Sequence, residues 1–203
     1  MRLALILAFS LSLSLSLALA AAPRLLAADA IVLPQPTRIG GAPLMEALSK
    51  RKSHRGFQAE ALSPQSLGDI LWAAFGVNRD GDRRTIPTSH GNNELAVYAV
   101  LPSGVFLYDP LAHRLDLVLS GDRTMEYGGA PLTLLYAAPT NGPVGGFHAG
   151  SAYQNVGLLC ASEGLANVVK TSGVDALRGE LVPAEGWQVL VVQSIGLPAG
   201  DDF

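Results

Sequence analysis

The stretch SKRKSHRGF, residues 49–57, places Lys50, Arg51, Lys52 and Arg55 close together, with Ser53 and His54 among them. No carboxylate interrupts the run, in a chain that is only 15% charged. Guanidinium, ammonium and hydroxyl donors grouped in this way suit a phosphate. Such an anion carries about −1.5 to −2 charges and takes charge-assisted hydrogen bonds from several directions. The alternative is a solvated helix end, because cations near a helix C-terminus are mildly favourable without any ligand. Other chemistries find less support. The histidines His54, His90, His113 and His148 are scattered, none at ligand spacing with another, and there is no C-x-x-C, so no metal centre is expected. Glycine-rich nucleotide fingerprints are absent, and Ser151 and Ser162 lie in no G-x-S-x-G elbow. Asp122, Glu126 and Glu163 read as solvated carboxylates. The single cysteine, Cys160, sits in an apolar segment and reads as a buried small hydrophobe; no intrachain disulfide can form.

The chain has 203 residues and a formal net charge of −3, which excludes a generally basic nucleic-acid binder. Hydrophobic residues make up 49%, enough for one domain with a real core. The first thirty residues have the pattern of a signal peptide. Arg2 opens a small positive region, residues 3–19 are apolar, and ALA at 18–20 and ADA at 28–30 offer cleavage after Ala20 or Ala30. Export to the periplasm with loss of the leader is the expectation; an uncleaved leader would be long enough to anchor the chain in a membrane.

The elements that must position the basic run follow from periodicity. IVLPQPTRIGGAP (31–43) reads as an extended arm, and Pro43 suits the start of a helix with Leu44, Ala47 and Leu48 on one face, running to about Arg51. A second helix, 62–76, has Ser63 as cap, Pro64 at its first position and Gly76 as a left-handed terminator. Residues 78–93 are polar and turn-rich, a candidate functional loop. Strands are expected at 95–101 and 104–109, joined as a hairpin, then at 114–120, and a buried one at 132–138. A long helix within 146–169 ends near Gly164. It is apolar on most sides and so wants a cover, for which a second copy of the chain is a candidate. A short helix at DALRGEL (175–181) and a core strand at 187–196 close the domain. Strands run together and helices group, which favours α+β over a doubly wound sheet.

Several segments resemble one family in order. KRKSHRGF, LWAAFGVNR, RTIPTSHGNNELAVYAV, GVFLYDPLAHRL, QNVGLLCASEGLANVV and the closing IGLP are similar to the successive motifs of the FMN-dependent nitroreductase family, and within it to the SagB-type, thiazoline-oxidase-like branch. The resemblance spans roughly residues 31–198. It implies a nitroreductase-like fold with a central, mostly antiparallel sheet flanked by helices, an intertwined homodimer, FMN at the dimer interface and ping-pong transfer at flavin N5 to or from a small organic substrate. It assigns no catalytic side chain here. It places Arg51, Lys52, Ser53 and Arg55 on the phosphate and ribityl chain, and Pro87, Thr88 and Ser89 in a loop over the flavin, often the other subunit's. Asn93 falls at a polar position of that loop. Val169, Lys170, Thr171 and Ser172 map to the loop after the long helix, whose backbone N–H groups face the N5 edge, with Lys170 adding charge on the pyrimidine side. NAD(P)H is the family's usual reductant. Two other roles stay open: a flavin-binding module without turnover, and a dehydrogenase subunit of a peptide-modifying complex.

The chain departs from the pattern in two places. His90, Gly91 and Asn92 replace bulkier loop residues, and the C-terminus carries Asp201 and Asp202 where many relatives have a basic residue. Phosphate binding is thus expected to rest on the cluster at 51–55. An exported chain would also sit apart from cytoplasmic NAD(P)H, so another electron donor or an oxidised substrate is expected.

Overall fold

The computed structural model describes residues 30–181 and 184–200. All of the leader except Ala30, and the acidic end with Asp201 and Asp202, lie outside the described residues. Nine strands and three helices are assigned among the described residues. Seven strands form one sheet. In chain order they are β1 (Ala30–Val32), β4 (Ala96–Leu101), β5 (Gly104–Asp109), β6 (Arg114–Ser120), β7 (Leu132–Pro139), β8 (Ala166–Lys170) and β9 (Trp187–Gly196). Their spatial order is β1-β6-β5-β4-β7-β9-β8, and every neighbouring pair is antiparallel. Helices α1 (Leu44–Lys50), α2 (Pro64–Phe75) and α3 (Val144–Glu163) complete an α+β domain.

Strand alternation divides the apolar residues between two faces. Val97, Ala99, Leu134 and Tyr136 face Ile70, Leu71 and Ala74 of α2 and Ala152, Val156 and Cys160 of α3. Tyr98, Val100, Leu135, Ala137 and Val192 face the other way, under Tyr127, Leu177 and Leu181. The central strand β7 is buried from Leu132 to Ala138, as its unbroken apolar run requires. The arm before α1 is extended as expected and is strapped down. β1 pairs with β6, the Pro34 carbonyl accepts from His113 Nε2 at 2.8 Å, and the Thr37 N–H donates to Asp69 Oδ1 at 2.7 Å.

Four local expectations change. Gly76 ends α2 with φ −68° and ψ 163°, which is extended rather than left-handed. Glycine is needed there for space instead, since a Cβ would lie 2.2 Å from Trp72 Cδ1. α3 starts two residues early, at Val144, and ends as expected at Gly164 with φ +70°. DALRGEL is not a helix. Gly173 and Gly179 take φ of +88° and +90° and break the segment into successive turns that tuck Leu177 and Leu181 under the sheet. Within 78–93, the Asp80-Gly81-Asp82 turn closes a small hairpin of β2 (Val77–Arg79) and β3 (Arg83–Arg84).

Candidate phosphate and flavin site

α1 ends at Lys50, with the Arg51 N–H donating to the Ala47 carbonyl, and the basic run continues as an extended segment. Lys50 does not belong to the site. It reaches back one turn to Glu46 at 2.6 Å, the ordinary i, i+4 pair of a helix surface. Arg51, Lys52 and Arg55 make no ion pair among the described residues and are exposed, as is Ser53. Lys52, Ser53, His54, Arg55 and Gly56 line a cavity of about 340 Å³, closed on its other side by Pro198 and Ala199. Among the described residues no carboxylate lines it. The segment is held in place from two directions. The His54 N–H donates to the Asn167 carbonyl of β8 at 2.8 Å, and Phe57 bridges to Pro198, next to the Gln58 N–H bonded to the Leu197 carbonyl at 2.9 Å. Gly56 lets the two strands of chain approach, since a Cβ there would sit 3.3 Å from the Ala199 carbonyl oxygen. A cationic, donor-rich cavity with no acid among its described lining residues fits the phosphate of a flavin mononucleotide.

Arg51 does not line that cavity. Its stem crosses α3 beside Gly157, where a Cβ would meet Arg51 Cγ and Cδ at 3.8 Å and Asn167 Oδ1 at 3.7 Å. Asn167 in turn belongs to a buried polar chain over three strands. Tyr136 donates to Gln193 Oε1 at 2.7 Å, and Gln193 Nε2 donates to Asn167 Oδ1 at 3.1 Å and to the Tyr153 carbonyl at 3.2 Å.

The other expected site residues fall into two further groups. Val169 and Lys170 are not in a loop directly after the long helix. After Gly164 the chain enters the edge strand β8, and these residues complete it, paired with Gln193 and Val192; Thr171 and Ser172, both exposed, begin the turn that follows. At ~3.3 Å per strand residue, Lys170 lies roughly 10 Å along β8 from Asn167. Lys170 Nζ is committed to the Tyr127 carbonyl at 2.9 Å, and burial lowers its pKa. Pro87, Thr88, Ser89 and Asn93 are anchored elsewhere. The Ser89 N–H donates to His148 Nε2 at 3.0 Å, while His148 Nδ1 lies 3.3 Å from the Glu94 carbonyl. Asn93 Nδ2 donates to both the carbonyl and the carboxylate of Asp82, at 3.2 and 3.0 Å. His148 precedes Gly157 by about 13 Å along α3 at ~1.5 Å per residue. Within one protomer the 87–93 loop and the basic segment therefore sit at different levels of that helix. His148, which ties the loop to α3, and Asn167, a polar residue inside an apolar strand, are the features sequence reasoning passed over; a buried-strand position spent on an amide was the available signal.

Arg84 stabilises the loop's base. Its buried guanidinium meets Asp82 at 2.9 Å and lies 4.7 Å from the Phe75 ring centroid, and burial pulls its pKa down. Among the described residues no group of three or more His, Cys, Asp or Glu side chains could hold a metal ion, and no helix is long and apolar enough to cross a membrane.

The chain is 35% identical to a nitroreductase of Ralstonia eutropha JMP134 whose crystal structure superposes with a TM-score of 0.77, covering 85% of this chain and 90% of that one. It is 29% identical over 175 residues to a protein of Methanocaldococcus jannaschii named as a nitroreductase, covering 73% of this chain and 88% of the relative. A nitroreductase of Bacteroides fragilis solved with bound FMN shares the fold at a TM-score of 0.56 and 16% identity, over 78% of this chain and 89% of that one. The family model for nitroreductases matches residues 48–196, from the start of the basic run to the end of β9, and the chain belongs to the nitroreductase family.

Proposed function

We propose that the protein is an FMN-dependent oxidoreductase that works as a homodimer, exchanging electrons with a small organic substrate by ping-pong turnover. The cavity formed by Lys52, Ser53, Arg55 and Gly56, cationic and without an acid among its described lining residues, carries this reading, in a chain of a family whose fold is shared by FMN-binding proteins. Bound flavin would supply two-electron redox chemistry at N5. The chain's part is to bind and orient it. Lys52, Ser53 and Arg55 would hold the phosphate, Arg51 would lie along the polar chain, and the end of β8 with Thr171 and Ser172 would offer backbone donors to the ring.

Two observations support a second copy as part of the site. The 87–93 loop of the same protomer is anchored about 13 Å along α3 from the basic segment. Leu44 and Met45 of α1 are 63% and 74% exposed, next to Ile39 at 92%, an apolar surface that a partner would cover. The SagB-type reading rests on the ordered series of motifs, LWAAFGVNR, RTIPTSHGNNELAVYAV and GVFLYDPLAHRL among them; a dehydrogenase role in a peptide-modifying assembly is its extension. Export by the leader remains part of the proposal and places the domain away from cytoplasmic nicotinamides.

The direct test is the flavin itself. Purified protein should be yellow or become so with FMN, bind it at a stoichiometry of one per chain, and sediment as a dimer. A colourless protein that fails to bind added FMN would refute the reading. Bound FMN that no reductant bleaches under argon would leave the binding module as the function.

A further inference from the structure

We infer that Asn167 is an additional donor to the flavin phosphate, held in its donating orientation by the buried Tyr136–Gln193 chain; the assignment rests on the flavin reading above. The argument follows hydrogen-bond polarity. The Tyr153 backbone carbonyl can only accept, so the Gln193 group facing it must be the NH2. Gln193 Oε1 then accepts from the Tyr136 hydroxyl, which is wholly buried beside it. The same Gln193 NH2 faces Asn167, so the Asn167 atom facing it must be the oxygen. Asn167 Nδ2 is thereby turned away from the chain. Among the described residues no acceptor meets it, and it is not sealed inside the core.

Three contacts locate the surface it meets. The Asn167 carbonyl takes the His54 N–H, and His54 lines the cationic cavity. The Asn167 amide and the Arg51 stem flank one bare point on α3, the one where Gly157 has no side chain. A residue only 6% exposed in a strand would ordinarily be apolar, and its diagonal neighbour on β9, Gln193, is wholly buried. Two buried amides and a tyrosine hydroxyl, diagonal neighbours on adjacent strands, form a hydrogen-bonded network with one donor left over, beside the basic segment. A neutral donor there adds a hydrogen bond to the anion without a further charge to desolvate.

The test compares two flavins on apoprotein. In Asn167→Asp the carboxylate still accepts from Gln193 but replaces the outward donor with a negative oxygen. FMN affinity should fall by about tenfold or more, while riboflavin, which lacks the phosphate, stays within about twofold. Equal loss for both flavins would show a purely structural role and overturn the assignment, as would no loss for either. A wild-type protein that binds neither flavin would refute the functional proposal itself. Should the variant fail to fold, wild-type protein labelled with 15N-asparagine decides the question. The Asn167 side-chain amide signal should move on titration with inorganic phosphate and with FMN, and a signal unmoved by both would overturn the assignment.

Discussion

Arg55 and Lys50 are near neighbours in a basic run, yet the structure gives them opposite consequences. Arg55 lines the cavity and has no ion-pair partner among the described residues, whereas Lys50 is spent on Glu46. Truncating Arg55 to alanine removes a charge-assisted bond to phosphate, for which about 1.5–3 kcal/mol is usual. The guanidinium is exposed and screened by salt, so the lower end applies, about 1.5 kcal/mol or roughly tenfold in Kd at physiological ionic strength. The apoprotein should melt as before, since an exposed side chain without partners contributes within about 0.5 kcal/mol. Lys50→Ala should leave FMN affinity within about twofold, because its charge is neutralised one turn back. Fluorescence titration of apoprotein with FMN and riboflavin, at low and high salt, reads all of this. The FMN loss in Arg55→Ala should shrink as salt rises, and riboflavin should not notice the change. Equal effects of Arg55→Ala and Lys50→Ala, or a riboflavin loss as large as the FMN loss, would refute the placement of the phosphate.

Gly76→Ala should destabilise the protein by about 1–3 kcal/mol, because the new methyl overlaps the Trp72 ring and carbonyl, and the melting temperature should drop by about 2–12 °C; an unchanged melt would show that α2 can end otherwise. His113 anchors the arm through Pro34, and burial holds its pKa below the ordinary 6.5. The unfolded chain then binds the extra proton, so the stabilisation is full above about pH 6.5 and is lost as pH falls through the lower folded value. Amide exchange in residues 33–37 should accelerate over that window, and His113→Gln should remove the pH dependence. If the domain is exported, NADH and NADPH should reduce bound flavin slowly and without saturation in stopped flow; fast, saturable reduction at micromolar cofactor would refute the proposed separation from nicotinamides.

Much of the sheet was legible because its signals are local. The β-prone runs LAVYAVL and LTLLYAA, the alternation in RLDLVLS and the Ser63–Pro64 helix start each depend on neighbours within a few residues. The errors lie where a distant contact decides. Gly76 looks like a left-handed stop, yet it is glycine because the Trp72 ring lies against it. DALRGEL has helical composition, but the glycines before and within it turn the chain so that Leu177 and Leu181 can meet the sheet. The basic run was visible as an anion site. Its division into Lys50, which faces Glu46, Arg51, which lies on α3, and a cavity-lining remainder follows from where α1 stops and where β8 returns. The link from Tyr136 through Gln193 to Asn167 joins residues 57 and 26 positions apart, beyond any sequence window.

Cys160 supplies the protein with its own clock for core opening. Its side chain is wholly buried between α3 and the sheet, and burial pushes the thiol up to about 12. A thiol so placed is almost entirely protonated and out of reach at neutral pH, so it neither links two chains nor oxidises while the fold is closed. It becomes reactive only when α3 lifts from the strands beneath it. Because it is the chain's single cysteine, the rate of labelling by a small thiol reagent counts those openings without any engineered probe. The same measurement with and without flavin would reveal how far a ligand on the surface of α3 steadies the layer below.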